Sequence, residues 1–198
     1  MSRPFVLFTS LVLCALFVLP ASGWAETRAI DDVRTTVDEV LTVLRDKAAP
    51  TEQRREKIRG LVRGRFDFAL MARSTLGRQW KNASKQEQDT FIELYSKLLE
   101  ATYIGRIEAY TDEKVTYGDE KTKGDKALVE TSIVTSSVTI PIDYKLVQNV
   151  TEWKVYDVVI EGVSLIRNFR SSYGSIVEKE GFSGLFARME SKVKELEQ

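Results

Sequence analysis

Residues 154–170, KVYDVVIEGVSLIRNFR, decide the fold, because they predict a buried strand, a break and a basic exit segment. The strand half is rich in β-branched residues, and Trp153 comes directly before it. A strand that is apolar on both faces must be covered on both sides. Two acidic residues, Asp157 and Glu161, interrupt the run, and a buried carboxylate needs a partner or a wet cavity beside it. The break at Glu161 and Gly162 ends the strand.

Amphipathic helices are predicted before this strand. Asp67 can cap the third helix, and Gly77 can end it. Ser84 and Glu87 match a capping box, which opens a long helix with a broad apolar face. The predicted helices cover about residues 30–47, 50–65, 67–76 and 84–107.

Strands are predicted at about residues 114–117, 126–135 and 138–148, followed by the buried strand and exit segment of residues 154–170. The strand at 138–148 alternates cleanly between apolar and polar residues, so its even positions share one face. Pro141 inside it indicates an edge position or a bulge. Two helices, at about 171–180 and from 183 onward, are predicted on either side of Gly181.

Helices, then a block of antiparallel strands, then helices again predict an α+β fold. We expect a curved, mostly antiparallel sheet of about four strands packed against helices. The cone between such a sheet and its helices can be filled by side chains or can hold a ligand in an apolar cavity.

The N-terminus has the pattern of a secretory signal peptide. Arg3 supplies a positive charge, residues 5–19 form an apolar run, and Gly23 and Ala25 are small residues at the two positions that a signal peptidase reads. The run is shorter than the roughly 20 residues that a membrane-spanning helix needs, so an uncleaved anchor is disfavoured. We expect residues 1–25 to be cleaved on secretion and residues 26–198 to form a single domain.

Cleavage would change the chemical inventory. The sequence has one cysteine, Cys14, which would leave with the signal peptide, and it has no histidine. Disulfides, thiol nucleophiles, histidine-based triads and histidine–cysteine metal sites are therefore excluded. Loss of Arg3 lowers the basic count from 29 by one to 28, against 29 acidic residues, for a net charge of −1. This near balance argues against nucleic acid as a partner.

The acidic and phenolic residues near the sheet allow two interpretations. In an enzyme, Asp157 or Asp143 would act as a general base and Tyr144 or Tyr156 as an electrophile. In a structural role, Asp143 would face solvent and Asp157 would bond to a backbone group or an arginine. The structural role is favoured, because paired catalytic carboxylates, a nucleophile elbow and a Gly-rich phosphate loop are all missing from the sequence.

The second predicted helix carries six basic residues between positions 54 and 65. Such a run could attract anionic lipid head groups or an acidic partner. It is more often a solvated helix face, and Glu52 and Glu56 mix with the basic residues here. The basic residues are Arg54, Arg55, Lys57, Arg59, Arg63 and Arg65.

Two blocks of the sequence resemble one known family. Residues 154–170, followed by VEKEGFSGL at residues 177–185, are similar to the C-terminal signature of the MlaC family, also called the toluene-tolerance family. Upstream, RFDFALMARSTLGRQWKNASKQEQDTF at residues 65–91 resembles the helical segment of the same family. The resemblance covers roughly residues 30–190, and the two blocks stand in the family's order.

This resemblance implies a periplasmic phospholipid carrier with a sheet and helices arranged as an NTF2-like cone. It implies a monomer that shuttles phospholipid between an outer-membrane lipoprotein–porin complex and an inner-membrane ABC transporter with a hexameric lipid-binding subunit. Such a carrier maintains the lipid asymmetry of the outer membrane. The acyl chains are expected in an apolar cavity and the head group outside. No catalysis, cofactor or metal is implied, and phospholipid is the cargo. The alternative is an NTF2-like periplasmic enzyme that uses Asp157 and a tyrosine.

No short motif marks the pocket, so the lipid-binding residues are predicted from the elements that should face the cone. They come from the alternating strand at 138–148, the buried strand that starts at 154, the long helix at 84–107 and the short helix at 67–76. Some of them could equally be ordinary core residues. The predicted lipid-binding residues are Phe68, Met71, Leu98, Tyr103, Val138, Ile140, Ile142, Tyr144 and Val158.

Overall fold

The computed structural model describes residues 27–109, 114–150 and 152–197. The predicted signal peptide lies outside these residues. The helices are α1 (Ala29–Arg45), α2 (Thr51–Arg65), α3 (Phe68–Leu76), α4 (Lys85–Glu108) and α5 (Leu165–Leu196), with a 3-10 turn at Gly77–Lys81. The strands are β1 (Lys114–Lys123), β2 (Lys126–Val134), β3 (Thr139–Asn149), β4 (Glu152–Ile160) and β5 (Val163–Ser164).

The five strands form one antiparallel sheet in the order β1-β2-β3-β4-β5. Each strand therefore pairs with its neighbour in sequence. The predicted α+β class is confirmed, with two differences in the strands. β1 runs to Lys123 rather than Tyr117, because its polar second half still pairs with β2. A two-residue fifth strand follows the Glu161–Gly162 turn, where both residues have positive φ.

Cross-strand pairs build one apolar face of this sheet. Ile140 pairs with Ile133, and Tyr144 lies between Val129 on β2 and Val158 on β4. Residues that pair directly across antiparallel strands share a face. The register shifts where Lys145 and Leu146 pair with Asp157 and Val155, which leaves Tyr156 as an extra residue. This bulge lets Val155 and Val158 face the same side although they are three residues apart.

The predicted helix caps are confirmed. The Asp67 carboxylate accepts a hydrogen bond from the Leu70 amide at 2.8 Å, which starts α3. Ser84 and Glu87 form a capping box at the start of α4. Gly77 ends α3 with a φ of 56°, a left-handed conformation that favours glycine.

The basic exit segment is helical, which the sequence analysis did not predict. α5 begins at Leu165 instead of residue 171, with Ser164 as its N-cap. The Ser164 hydroxyl accepts a hydrogen bond from the Arg167 amide at 3.2 Å. The predicted break at Gly181 is present as a kink, where φ is 71° and ψ is −176° inside the helix. The local Ser164 cap, rather than the apolar periodicity, therefore sets where α5 starts.

Pro141 occupies an interior strand rather than an edge or a bulge. Its carbonyl accepts the Glu161 amide at 3.0 Å, at the point where β4 turns away from β3. In an antiparallel strand the amide nitrogen and carbonyl of one residue point to the same side. The missing donor of Pro141 therefore faces the end of β4, where little pairing is lost.

The filled part of the core lies between α3, α4, α5 and the sheet. Phe91 and Tyr95 on α4 stack at 5.5 Å, and Tyr173 on α5 meets Phe91 edge-on at 5.9 Å. The Thr75 hydroxyl donates to the Tyr95 oxygen at 3.1 Å, which satisfies a buried polar pair. Burial of these rings, with their offset and edge-on geometry, stabilises this half of the molecule.

Asp157 is structural, as the sequence analysis favoured. Its carboxylate is 3% exposed and accepts hydrogen bonds from Lys145 at 2.9 Å, Ser164 at 2.8 Å and the Ile166 amide at 3.2 Å. One buried acid therefore ties β3, β5 and the first turn of α5 to β4. The expected partner was a backbone group or an arginine. The structure supplies the Ile166 amide and, as the cationic partner, Lys145.

Replacing Asp157 by alanine leaves three donors without an acceptor. We expect the free energy of unfolding to fall by about 3 kcal/mol, because a buried ion pair loses one partner. Chemical denaturation of the two proteins measures this difference. Asp143→Ala is the matched control on the same strand pair and should change stability by less than about 0.5 kcal/mol. Equal losses in both variants would contradict the structural role of Asp157.

Within the described ranges, no helix is both long and apolar enough to cross a membrane.

Candidate functional site

A cavity of about 430 Å³ lies between α1, the C-terminal turns of α4 and the apolar face of the sheet. This volume falls within the range of about 300–1,000 Å³ that is typical of small-molecule sites. Its walls are mostly aliphatic and aromatic, and no acidic side chain contributes to them among the described residues. The polar residues of the wall are Thr36, Arg65, Arg106, Thr131 and Thr135.

Helix α1 forms one wall of the cavity. Its apolar residues recur at helical spacing, so they line one stripe that faces the sheet. Val33 and Leu44, near the two ends of the stripe, are buried, whereas the residues between them are only half-buried. The middle of the stripe therefore faces the cavity. The lining residues of α1 are Val33, Thr36, Val37, Val40, Leu41 and Leu44.

Helix α4 divides into a core half and a cavity half. Phe91, Tyr95 and Leu98 are buried against α3 and α5. Tyr103 and Ile107, one to two turns further along, line the cavity instead. The apolar face of α4 is thus continuous, but its last turns extend beyond the part of α4 that α3 and α5 cover.

The floor of the cavity is the cross-strand surface of β2, β3 and β4. Ile142 lies between Thr131 and Ile160, and all three contribute to the lining. Burial raises the pKa of Tyr144 to about 12, although a hydrogen bond with Thr131 opposes the shift. Tyr144 therefore stays neutral near neutral pH, and the floor carries no charge.

Asp32 anchors α1 to both the sheet and α2. Its carboxylate accepts the Trp153 amide at 3.0 Å and pairs with Arg65 at 3.1 Å. Arg65 also donates to the Thr36 hydroxyl at 2.9 Å and to the Trp153 carbonyl at 3.0 Å. The Asp32 and Arg65 side chains are 16% and 17% exposed, so water screens this pair only in part.

The opposite edge of the sheet holds the start of α1 as well. Glu120 on β1 accepts the Ile30 amide at 3.0 Å, and Arg28 lies 3.6 Å from the same carboxylate. A negative group at a helix N-terminus is favourable for both the hydrogen bond and the helix dipole. The first turn of α1 is therefore held at β1 and at β4, while the later turns stand over the cavity.

The basic run of α2 is mostly engaged within the molecule. Arg55 donates two hydrogen bonds to Glu108, at 2.9 and 3.0 Å, and Arg63 donates two to Glu100, at 2.7 Å each. Both acids belong to α4, so these bidentate pairs join the two helices beside the cavity. The other arginines of the run, Arg54, Arg59 and Arg65, also bond within the chain.

The open end of the cavity lies at the C-terminus of α4. Arg106 and Ala109 are the exposed members of the described lining, and the other lining residues are buried or half-buried. The Arg106 guanidinium lies 5.7 Å from the centre of the Tyr103 ring, within the range of a cation–π contact. The cavity is thus apolar inside and carries a positive charge at its open end.

The structure brings four of the nine predicted lipid-binding residues together in this cavity. They are Tyr103, Ile140, Ile142 and Tyr144. Three others, Met71, Leu98 and Val158, are buried in the packed core. Phe68 is half-buried against Phe66 with ring centres 5.9 Å apart, and Val138 is 49% exposed outside the cavity. Lipid contact stays a prediction for all nine residues, and the structure favours it only for the four that line the cavity.

The sequence analysis did not assign the α1 residues to the site. An apolar helical stripe has the same pattern whether it covers a core or a cavity, so periodicity could not separate the two. The candidate base of the alternative enzyme, Asp157, is absent from the cavity lining and its carboxylate is fully engaged. The described residues contain no cluster of three or more potential metal ligands.

Replacing Asp32 by alanine removes the link between α1, Trp153 and Arg65. We expect a loss of about 3 kcal/mol in unfolding free energy, because Arg65 would be left largely buried without its carboxylate. Asp31→Ala is the matched control, since Asp31 lies in the same helical turn but is exposed. Thermal and denaturant unfolding compare the two variants. A loss for Asp31→Ala as large as that for Asp32→Ala would attribute the effect to the helix dipole alone.

Comparison with known proteins places the chain in a family. The curated intermembrane phospholipid transport system binding protein MlaC of Haemophilus influenzae is 22% identical over 184 residues, which cover 88% of this chain and 86% of that protein. A solved structure, the phospholipid-binding protein of Ralstonia solanacearum in complex with a phospholipid, superposes with a TM-score of 0.79 at 22% identity and shows the same fold. The superposition covers 87% of this chain and 100% of the Ralstonia solanacearum chain. The profile of the MlaC protein family matches residues 34–191, so the chain belongs to the MlaC family.

Proposed function

We propose that this protein is a periplasmic phospholipid carrier that holds the acyl chains of its cargo in the cavity between α1 and the sheet. The observation that carries the proposal is an apolar cavity, open at one end, in a chain of the MlaC family. The names of the relatives add support, since one is a binding protein of an intermembrane phospholipid transport system and the other holds a phospholipid.

The physical task of such a carrier suits this cavity. A two-chain phospholipid has about 30 methylene groups, each worth about 0.8 kcal/mol on burial. Leaving a bilayer for water therefore costs on the order of 20 kcal/mol. Aliphatic walls offset this cost without directional bonds, so they accept varied acyl chains and can release them to a second membrane.

The proposed route runs between the two membranes of the envelope. The carrier would receive or deliver lipid at an outer-membrane lipoprotein–porin complex and at an inner-membrane ABC transporter with a hexameric lipid-binding subunit. This traffic would maintain the lipid asymmetry of the outer membrane. The proposal is for a carrier rather than an enzyme, because the Asp157 carboxylate is bonded to three donors outside the cavity.

The occupancy of the cavity can be tested with Ile142→Arg. A guanidinium on the floor would occupy the space of the acyl chains and would be costly to bury, so lipid should be lost from the protein while the fold remains. Mass spectrometry of the natively purified variant measures the bound phospholipid. Circular dichroism checks that the variant is folded.

Val138→Arg provides the matched control. Like Ile142, Val138 has a β-branched apolar side chain. It directly precedes β3 but lies outside the cavity and is 49% exposed. We expect this variant to retain phospholipid at the level of the unmodified protein. Retention by Ile142→Arg would move the binding site elsewhere, and a wild-type protein that neither carries phospholipid nor extracts it from vesicles would contradict the carrier function.

We also propose that residues 1–25 direct the chain to the periplasm and are removed there. The apolar run at 5–19 and the small residues Gly23 and Ala25 support this assignment. N-terminal sequencing of the exported protein should find Glu26 first. An exported protein that begins at Met1 would indicate an uncleaved leader instead.

A further inference from the structure

The cavity wall contains two arginines that differ in their surroundings. Arg65 lies at the inner part of the wall and is 17% exposed, with bonds to Asp32, Thr36 and the Trp153 carbonyl. Arg106 is exposed at the open end. Its one described contact is with the Tyr103 ring, and no carboxylate lies within ion-pair distance of it in the described part of the chain.

Among the described residues, Arg106 has no carboxylate partner, which distinguishes it from the arginines beside it. Arg55 and Arg63 on the adjoining helix each donate two hydrogen bonds to a glutamate of α4. The guanidinium of Arg106 keeps its donors available, while its contact with Tyr103 holds it near the opening. A guanidinium presents paired donors that match the oxygens of a phosphate group.

The direction of a bound lipid follows from the wall. Acyl chains would lie against the aliphatic interior, and the glycerol end would leave the cavity where the described lining becomes exposed, at Arg106 and Ala109. In a phospholipid the phosphate is attached directly to the glycerol. The phosphate would therefore lie at the opening, at the same level as the Arg106 side chain.

We propose that Arg106 binds the phosphodiester of the cargo at the cavity opening and selects phosphate-bearing two-chain lipids over uncharged ones. This inference rests on the proposed carrier function and adds the chemical group that the site recognises. The phosphodiester is common to glycerophospholipids, so this contact does not discriminate among head groups that extend into solvent. Diacylglycerol, which has the same chains and no phosphate, lacks the recognised group.

A purely local role for Arg106 predicts a different result. A cation in the last turn of a helix interacts favourably with the helix dipole, and Arg106 stands in the last turn of α4. That interaction contributes to stability but cannot distinguish one lipid from another. The ratio of two lipids taken up by the protein therefore separates the two roles.

The experiment measures extraction from phosphatidylcholine vesicles that carry trace labelled phosphatidylglycerol or trace labelled diacylglycerol with identical acyl chains. The purified protein, Arg106→Gln and Arg106→Lys are compared on the same vesicles, so the cost of removing each lipid from the bilayer cancels. Arg73→Gln is the control, since Arg73 is an exposed arginine of α3 outside the cavity. Melting temperatures confirm that each variant is folded.

We expect Arg106→Gln to lower the phosphatidylglycerol-to-diacylglycerol ratio about tenfold, the scale of a charge-assisted hydrogen bond. Arg106→Lys keeps the charge and should lie between, and Arg73→Gln should leave the ratio unchanged. An unchanged ratio in Arg106→Gln, or an equal fall in Arg73→Gln, would overturn the inference.

A competition arm separates a lipid phosphodiester from free phosphate. Inorganic phosphate at millimolar concentration should not displace the bound lipid, because it lacks the acyl chains. Displacement that depends on Arg106 would assign the site to free phosphate and would overturn the lipid assignment. If the wild-type protein extracts neither lipid, the carrier function itself fails. If the wild-type protein extracts lipid but Arg106→Gln leaves the phosphatidylglycerol-to-diacylglycerol ratio unchanged, only the phosphate contact fails.

Discussion

The Asp32 carboxylate is the contact on which the cavity depends. It fastens the first turn of α1 to the Trp153 amide of β4 and to Arg65 at the end of α2. With α1 held at this end, its apolar stripe faces the sheet across the cavity. The middle turns of α1 stand opposite Ile142 and Tyr144, with the cavity between them.

The two halves of the molecule use the same residue types for different purposes. On one side, α3 and α5 cover the start of α4, and the aromatic rings of Phe91, Tyr95 and Tyr173 close the core. On the other side, no described helix packs over the end of α4 as α3 and α5 pack over its start. Bidentate arginine–glutamate pairs join α2 to α4 there instead. Side-chain pairs can hold two helices near one another without filling the space behind them, and so a cavity persists.

Much of the fold could be predicted from local signals in the sequence. Asp67, Ser84 and Glu87 act through contacts with residues only three positions away, so their patterns are visible without the tertiary structure. The alternation of β3 likewise indicated that Ile140, Ile142 and Tyr144 share a face. The early start of α5 at Leu165 was missed because apolar residues directly after a strand resemble its continuation.

The candidate site was less predictable, since core and cavity positions have the same sequence pattern. Met71, Leu98 and Val158 have the same apolar character as Ile142, and only the placement of the helices separates them. The α1 residues show the opposite case, in which residues that the pattern assigns to the core line the cavity instead. Its stripe predicted burial, but its distance from the sheet depends on Asp32 and Trp153, which are 121 positions apart in sequence. The basic run of α2 also required tertiary information, because its acidic partners Glu100 and Glu108 belong to another helix.

The central claim is that acyl chains lie between α1 and the sheet. A phospholipid with a photoactivatable group near the end of one acyl chain tests it most directly, with the labelled peptides identified by mass spectrometry after illumination. If the acyl chains lie there, labels should appear on the cavity residues of α1, such as Val37 and Leu41, and on β3 at Ile142 or Tyr144. Labels confined to α3 and α5 around Met71 and Tyr173, with none on α1 or β3, would contradict it.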